Sequence, residues 1–498
     1  MSLAVIHTRA GLGIEAPAVR VEVHLAGGLP AFTIVGLPET AVRESRERVR
    51  AAIQNCGYPF PQQKIIVNLA PADLPKEGGR YDLPIALGVL CAADLLQGIK
   101  RDITTSHEFI GELALTGELR GVRGVLPAAR AGLLAGRAVV VPSASGAETA
   151  LIDNGSLWQA EHLSEVASYI CGERLLESPD GVRDAPAHQY QDLQEVRGQP
   201  TARRAIEVAA AGGHNLLFIG PPGTGKTMLA NCLPGLLPPL SDAQAAQVAM
   251  VHSVSQGGFN AQTWGRRPFR TPHHTASAIA LIGGGAPPRP GEISLAHQGV
   301  LFMDELPEYD RRVLEVLREP LESGHVAISR AAYKIDLPAS VQLIAAMNPC
   351  PCGYLGDSRC ECGLDRIKRY RGRLSGPLLD RIDMHVEVPQ ISMSALRQAD
   401  SGESSDTVRQ RVAQARLMQE EGRGCINARL PATRLEEACG MNAELGAFLD
   451  KAADQLRLSA RACHRVLKVA RTLADMEAAH SVRREHLLEA LSYRAFAR

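Results

Sequence analysis

The 498-residue chain is longer than one ordinary hydrophobic core, and about three domains is the natural expectation. Apolar residues make up 45% of it and charged residues 22%, a globular balance that lets each domain bury a sizeable core. Its 54 Lys+Arg balance 54 Asp+Glu, which excludes a polybasic coat and leaves any nucleic-acid contact to local patches such as those lining a pore.

From the N-terminus, no secretory core follows Met1, because Arg9 and Glu15 soon interrupt the apolar residues. The longest apolar stretch, Leu83 to Leu96, is too short to span a bilayer and contains Asp94. A protein without a membrane segment, in the cytoplasm, is therefore expected. The first ~170 residues alternate apolar runs (Ile65–Ala70, Ala138–Val141) with helical patterns such as Glu39–Cys56, which predicts a small α/β or α+β domain over 1–175. The Pro-, Asp-, Gly- and Gln-rich stretch from Glu177 to Gln191 predicts a linker over 176–192.

Residues 193–395 alternate strands and helices as a doubly wound parallel sheet does. The buried-strand pattern Asn215–Ile219 runs straight into Gly220-Pro221-Pro222-Gly223-Thr224-Gly225-Lys226-Thr227 and then a helix. This is the P-loop in its required strand-to-helix setting. Its glycines let backbone N–H groups face phosphates, Lys226 can reach the β- and γ-phosphates of ATP, and the Thr227 hydroxyl can ligate Mg²⁺. The apolar strand Val300–Met303 ends in Asp304-Glu305, which assigns Asp304 to Mg²⁺ and Glu305 to activation of the attacking water. A further apolar strand, Leu343–Met347, delivers Asn348 to a position that can sense the γ-phosphate. Arg381, in an otherwise apolar context, and Arg461, at the start of the helix Arg461–Ala474, are the arginines in the order a ring ATPase uses them.

Directly after Asn348, Cys350, Cys352, Cys360 and Cys362 form C-x-C-x7-C-x-C, four of the eleven cysteines of the chain. In a reducing compartment such clustering favours structural Zn²⁺ over free thiols, although C-x-C is tighter than the usual spacing. Gln398 to Thr407 is polar and predicts a second linker, and after Pro431 the periodicity is helical, so a helical lid is expected over 396–498.

The P-loop, the run Gly291–Gly299 into Val300–Glu305, Asn348, and Leu379–Asp383 resemble the magnesium-chelatase and MCM branch of AAA+ ATPases. The whole chain resembles the bacterial magnesium-chelatase-like competence-protein family. That resemblance implies a Lon-protease-like N-terminal domain, a P-loop AAA+ core and a helical lid. It implies a homo-hexameric ring that encircles single-stranded or branched DNA, drives branch migration alongside recombinase partners, and serves natural transformation. It gives Arg381 the role of a trans-acting finger and Arg461 that of sensor 2, with Arg465 the competing choice. Inserted hairpins line the pore in that branch; the matching stretches are His273-His274 to Gly285, and Ala327 to Leu337 with Arg330, Tyr333 and Lys334. The alternatives are ordinary solvated hairpins, and for the whole chain a chelatase-type motor subunit remodelling a protein partner. True Lon proteases use a Ser–Lys dyad, but Lys76–Pro84 holds no serine and Gly121–Pro127 no lysine, so no proteolysis is expected.

Overall fold

The computed structural model describes residues 3–152, 155–180, 190–285, 288–330, 333–398 and 402–494. The N-terminal part is built on a seven-stranded mixed sheet. Its strands lie in the order Ala31–Val35, Lys64–Ala70, Ala18–Ala26, Leu3–Arg9, His107–Phe109, Ala138–Pro142, Leu157–Ala160. The apolar stretch that begins at Leu83 forms the helix Asp82–Ala92, which is buried on every side and so needs no polar face. It lies so close to the sheet that any Cβ on Gly88 would run into Val23, and only glycine permits that approach.

The middle of the chain forms a five-stranded sheet in the order Phe269–Arg270, Val300–Met303, Gln342–Met347, Leu216–Ile219, Met384–Glu387. Every neighbouring pair is parallel. Successive side chains on a strand point to opposite faces, and here Leu216 and Phe218 join one core while Leu217 and Ile219 join the other. The first core contains the helix Pro200–Gly212 and the C-terminal helices Ser405–Arg423, Ala460–Met476 and Arg484–Ser492. The second is capped by the hairpin of His325–Arg330 and Tyr333–Pro338, through Val326, Ile328, Ile335 and Leu337.

The polar stretch read as a linker from Gln398 gives way to helix already at Ser405, whose preceding residue Ser404 caps it. Residues 181–189 and 399–401, inside the two expected linkers, lie outside the described residues. Among the described residues, the N-terminal part touches the central part of the chain at the helix Asp242–Ser253 and at the core under the hairpin. Leu126 packs with Ala249 and Met250, and the Gly124 N–H donates to the Ser253 carbonyl at 3.0 Å. Leu12 and Ile14 pack against the core that contains the hairpin. No helix among the described residues is long and apolar enough to cross a membrane.

Candidate nucleotide site and its family

In a parallel sheet the loops after the C-terminal strand ends converge, and ligands bind there. Ile219, Met303 and Met347 end three adjacent parallel strands, so Gly220, Asp304 and Asn348 emerge at one edge. Gly223 (φ +76°) and Gly225 (φ +89°) adopt left-handed backbone, which turns the loop's amides inward and opens the helix Lys226–Leu236. The Lys226 ammonium is buried and donates to the carbonyls of Gly220 and Pro221, each at 2.7 Å, and to Asn348 Oδ1 at 3.3 Å. Burial lowers its pKa, while Asp304 and Glu305 act to raise it. A cation held only by neutral oxygens fits a site built for anionic phosphates. Thr227 Oγ1 donates to Asp304 Oδ2 at 2.8 Å, so hydroxyl and carboxylate meet at a point where both could ligate one Mg²⁺. Bound there, ATP and Mg²⁺ would supply the transferable phosphoryl group and the charge that neutralises it.

Glu305 is exposed and has φ +51°, a left-handed conformation that costs a non-glycine residue roughly 1 kcal/mol or more. Such strain is retained where a side chain must be aimed. Its carboxylate lies 3.6 Å from His274 Nδ1, and the His274 ring is 4.2 Å from that of His273. His274, read from sequence as a DNA contact, thus stands beside Glu305. No local pattern signals this, because the two residues come from different segments that only the fold brings together.

The four thiols of Cys350, Cys352, Cys360 and Cys362 all lie within 4.8 Å of one another. Sγ separations are 3.3 Å for Cys350–Cys352, 3.9 Å for Cys350–Cys360 and 3.7 Å for Cys352–Cys360. A tetrahedral zinc with Zn–S near ~2.3 Å needs sulfurs about 3.8 Å apart, so the donor set fits that ion.

The family description "Magnesium chelatase, subunit ChlI" matches residues 192–396. "Subunit ChlI of Mg-chelatase" matches residues 21–145, and "Magnesium chelatase, subunit ChlI C-terminal" matches residues 402–494. A YifB protein of Salmonella typhimurium is 50% identical over 499 residues, which span 100% of this chain and 98% of its own length. Competence protein ComM of Haemophilus influenzae is 48% identical over 504 residues, 100% of this chain and 98% of its own. The chain belongs to the magnesium-chelatase-like ComM/YifB family. Magnesium-chelatase subunit ChlI of Anabaena variabilis shares 29% identity over 108 residues, 22% of this chain and 26% of its own. Membership of the ComM/YifB family suggests ATPase activity and a competence-related role.

Arg381, assigned as the finger, lies away from the P-loop. Met384 pairs with Leu216 and Glu387 with Ile219, so Arg381, just before Met384, stands at the N-terminal edge of the sheet. That edge is about 13 Å from the phosphate edge, four residues at ~3.3 Å each. Arg381 donates to the carbonyls of Arg318 at 2.9 Å and Pro377 at 2.8 Å, and pairs with Glu322. Arg461 is exposed, with no hydrogen-bond partner among the described residues. Arg465 is tied to Asp383, whose carboxyl burial would raise but Arg465 and His214 hold well below the usual range.

Of the residues read as pore contacts, His273 is exposed and Lys334 is exposed on the second strand of the hairpin. Arg330 and Tyr333 are register partners across the hairpin, and its tip, 331–332, lies outside the described residues. In the N-terminal part, the two segments that would carry a Lon-type dyad meet each other. Buried Arg80 donates to the Arg123 carbonyl.

Proposed function

We propose that this protein is an ATP-driven DNA motor that works as a ring of six copies and moves branched recombination junctions during natural transformation. The observation that carries the motor part is the separation of the site's two halves. Lys226, Thr227, Asp304 and Asn348 gather at one edge of the sheet, while Arg381 precedes the opposite end of Met384–Glu387. A single chain cannot bring Arg381 to its own phosphates, and a neighbour in a ring presents its own Arg381 to them. Hydrolysis then depends on assembly.

Within this reading Lys226 and the loop amides hold the phosphates, Thr227 and Asp304 hold Mg²⁺, and Glu305 aligns the attacking water. Asn348 reports the γ-phosphate, Arg381 stabilises transferred charge across the subunit boundary, and Arg461, or Arg465 in its place, serves as sensor 2. The cysteine knuckle holds structural zinc. The N-terminal part is a Lon-like scaffold without a nucleophile, and the hairpin bearing Arg330, Tyr333 and Lys334 contacts the DNA backbone in the pore. The protein acts in the cytoplasm.

A second reading, a chelatase-type motor subunit that remodels a protein partner, is favoured by the chelatase descriptions that match all three parts of the chain. ATP turnover separates the two. The DNA motor is stimulated by single-stranded or branched DNA, whereas the chelatase-type subunit responds to a protein partner and ignores DNA.

A further inference from the structure

A cleft of about 1160 Å³ opens at the sheet edge opposite the P-loop, between the N-terminal strand ends and the C-terminal helices. Besides Arg465, which is tied to Asp383, four cations line it: Arg267, Arg416, Arg429 and Lys468. Each is held from behind by a neutral oxygen. Arg267 Nε donates to the Pro238 carbonyl at 2.7 Å and its Nη1 to the Gln298 carbonyl at 2.8 Å. Arg416 Nε donates to the Ala210 carbonyl at 2.8 Å, and Lys468 Nζ to the Ala428 carbonyl at 2.9 Å. Arg429 Nη2 donates to Ser340 Oγ.

Capping explains part of this. Arg416 serves the C-terminal end of the helix Pro200–Gly212, where a cation is favoured. It does not explain the rest. No carboxylate forms an ion pair with any of the four among the described residues, and both terminal nitrogens of the buried Arg416 have no protein partner. The carboxylate that acts on all three arginines is the exposed Glu420. Burial, and behind it repulsion among the arginines, holds Arg416 down to about 9. Of the three carboxylates in the lining, Glu322 pairs with Arg381 and Asp383 with Arg465, which leaves Glu420 against the four remaining cations, an excess of fixed positive charge that an anion relieves.

We propose that this cleft is a second anion site, distinct from the P-loop, that takes consecutive phosphate groups. No Phe, Tyr or Trp is among its lining residues; the His297 and His325 rings and the guanidinium planes are the flat groups there, and the fixed cations favour phosphate over base. Recognition is of the phosphate chain, supplied either by a nucleic-acid strand or by a free oligophosphate. The site stands without the DNA reading, since a free oligophosphate alone would satisfy it.

The test uses the full chain carrying Lys226→Ala, which weakens the P-loop as a competitor. Tripolyphosphate and, separately, an oligo-dT strand are titrated at constant ionic strength and followed by calorimetry. Adding Arg429→Gln and Lys468→Gln weakens the ligand that the cleft holds by at least tenfold. Adding Glu420→Gln instead tightens it. With Lys226 intact, the Arg429→Gln/Lys468→Gln protein keeps its basal ATP turnover, which reports that it folds. Loss of tripolyphosphate binding identifies a free oligophosphate, and loss confined to oligo-dT identifies a strand. Absence of binding by either ligand, or affinities unmoved by these substitutions, overturns the proposal.

Discussion

Gly353 of the cysteine knuckle lies against Pro222 of the phosphate loop. A Cβ on Gly353 would come within 2.6 Å of Pro222 Cδ and 3.9 Å of Asn348 Cγ, and the glycine holds φ at +85°. The knuckle therefore braces both the phosphate loop and Asn348. Gly353→Ala, which is strained by its φ and collides with Pro222, is expected to weaken ATP binding by roughly tenfold, about 1.4 kcal/mol. With the proposed zinc bound at the knuckle, its removal by a chelator is expected to act in the same direction. Fluorescent-nucleotide titration measures both, and unchanged affinity would separate the knuckle from the nucleotide site.

Glu305, to which the proposed function gives the attacking water, stands on a left-handed backbone beside His274. Glu305→Gln keeps shape and strain but removes the charge that polarises water. ATP binding should stay within about twofold while turnover falls by at least about a hundredfold. Single-turnover kinetics distinguishes this from a binding defect, which would appear as a raised dissociation constant instead.

Arg381 should act on a neighbour's nucleotide. Arg381→Ala and Lys226→Ala each abolish turnover alone, the first by roughly a thousandfold or more with binding retained. Mixed, the two inactive proteins are expected to regain part of the activity, because an intact P-loop then faces an intact arginine. A mixture that stays as inactive as its components would place the finger elsewhere.

The sequence made the phosphate edge legible because its signals are local. A buried strand followed by glycines and Lys226, and an apolar strand ending in Asp304, each lie within a few consecutive residues, and the strands Leu216–Ile219 and Val300–Met303 match those patterns. The contacts that bind distant segments carry no periodicity. Pro222 against Gly353, His274 beside Glu305, and Arg465 tied to Asp383 are set by how the sheet and its loops pack. The cleft around Arg416 was invisible for the same reason: its cations come from a loop and separate helices. The helical start at Ser405 was missed because its polar cap reads like linker.

Glu148 sits near Ser253, where the N-terminal part meets the helix Asp242–Ser253. Burial pushes its carboxyl from 4.5 up to about 7, with the Ser253 hydroxyl pulling the other way. The unfolded chain releases this proton first as pH rises. Stability from this group is therefore greatest below 4.5 and falls as pH climbs to about 7, by about 3 kcal/mol at most. Glu148→Gln removes that slope. Its melting temperature should exceed the wild type's at pH 7.5 and match it near pH 4.5; a larger gain at the acidic end would contradict the assignment.

The most direct measurement is ATP-dependent migration of a labelled four-way DNA junction by the purified protein, with Lys226→Ala as control. A DNA motor resolves the junction with ATP and Mg²⁺ and loses that activity in the Lys226→Ala protein. Rings that hydrolyse ATP yet leave the junction intact would contradict the DNA reading and direct attention to a protein partner.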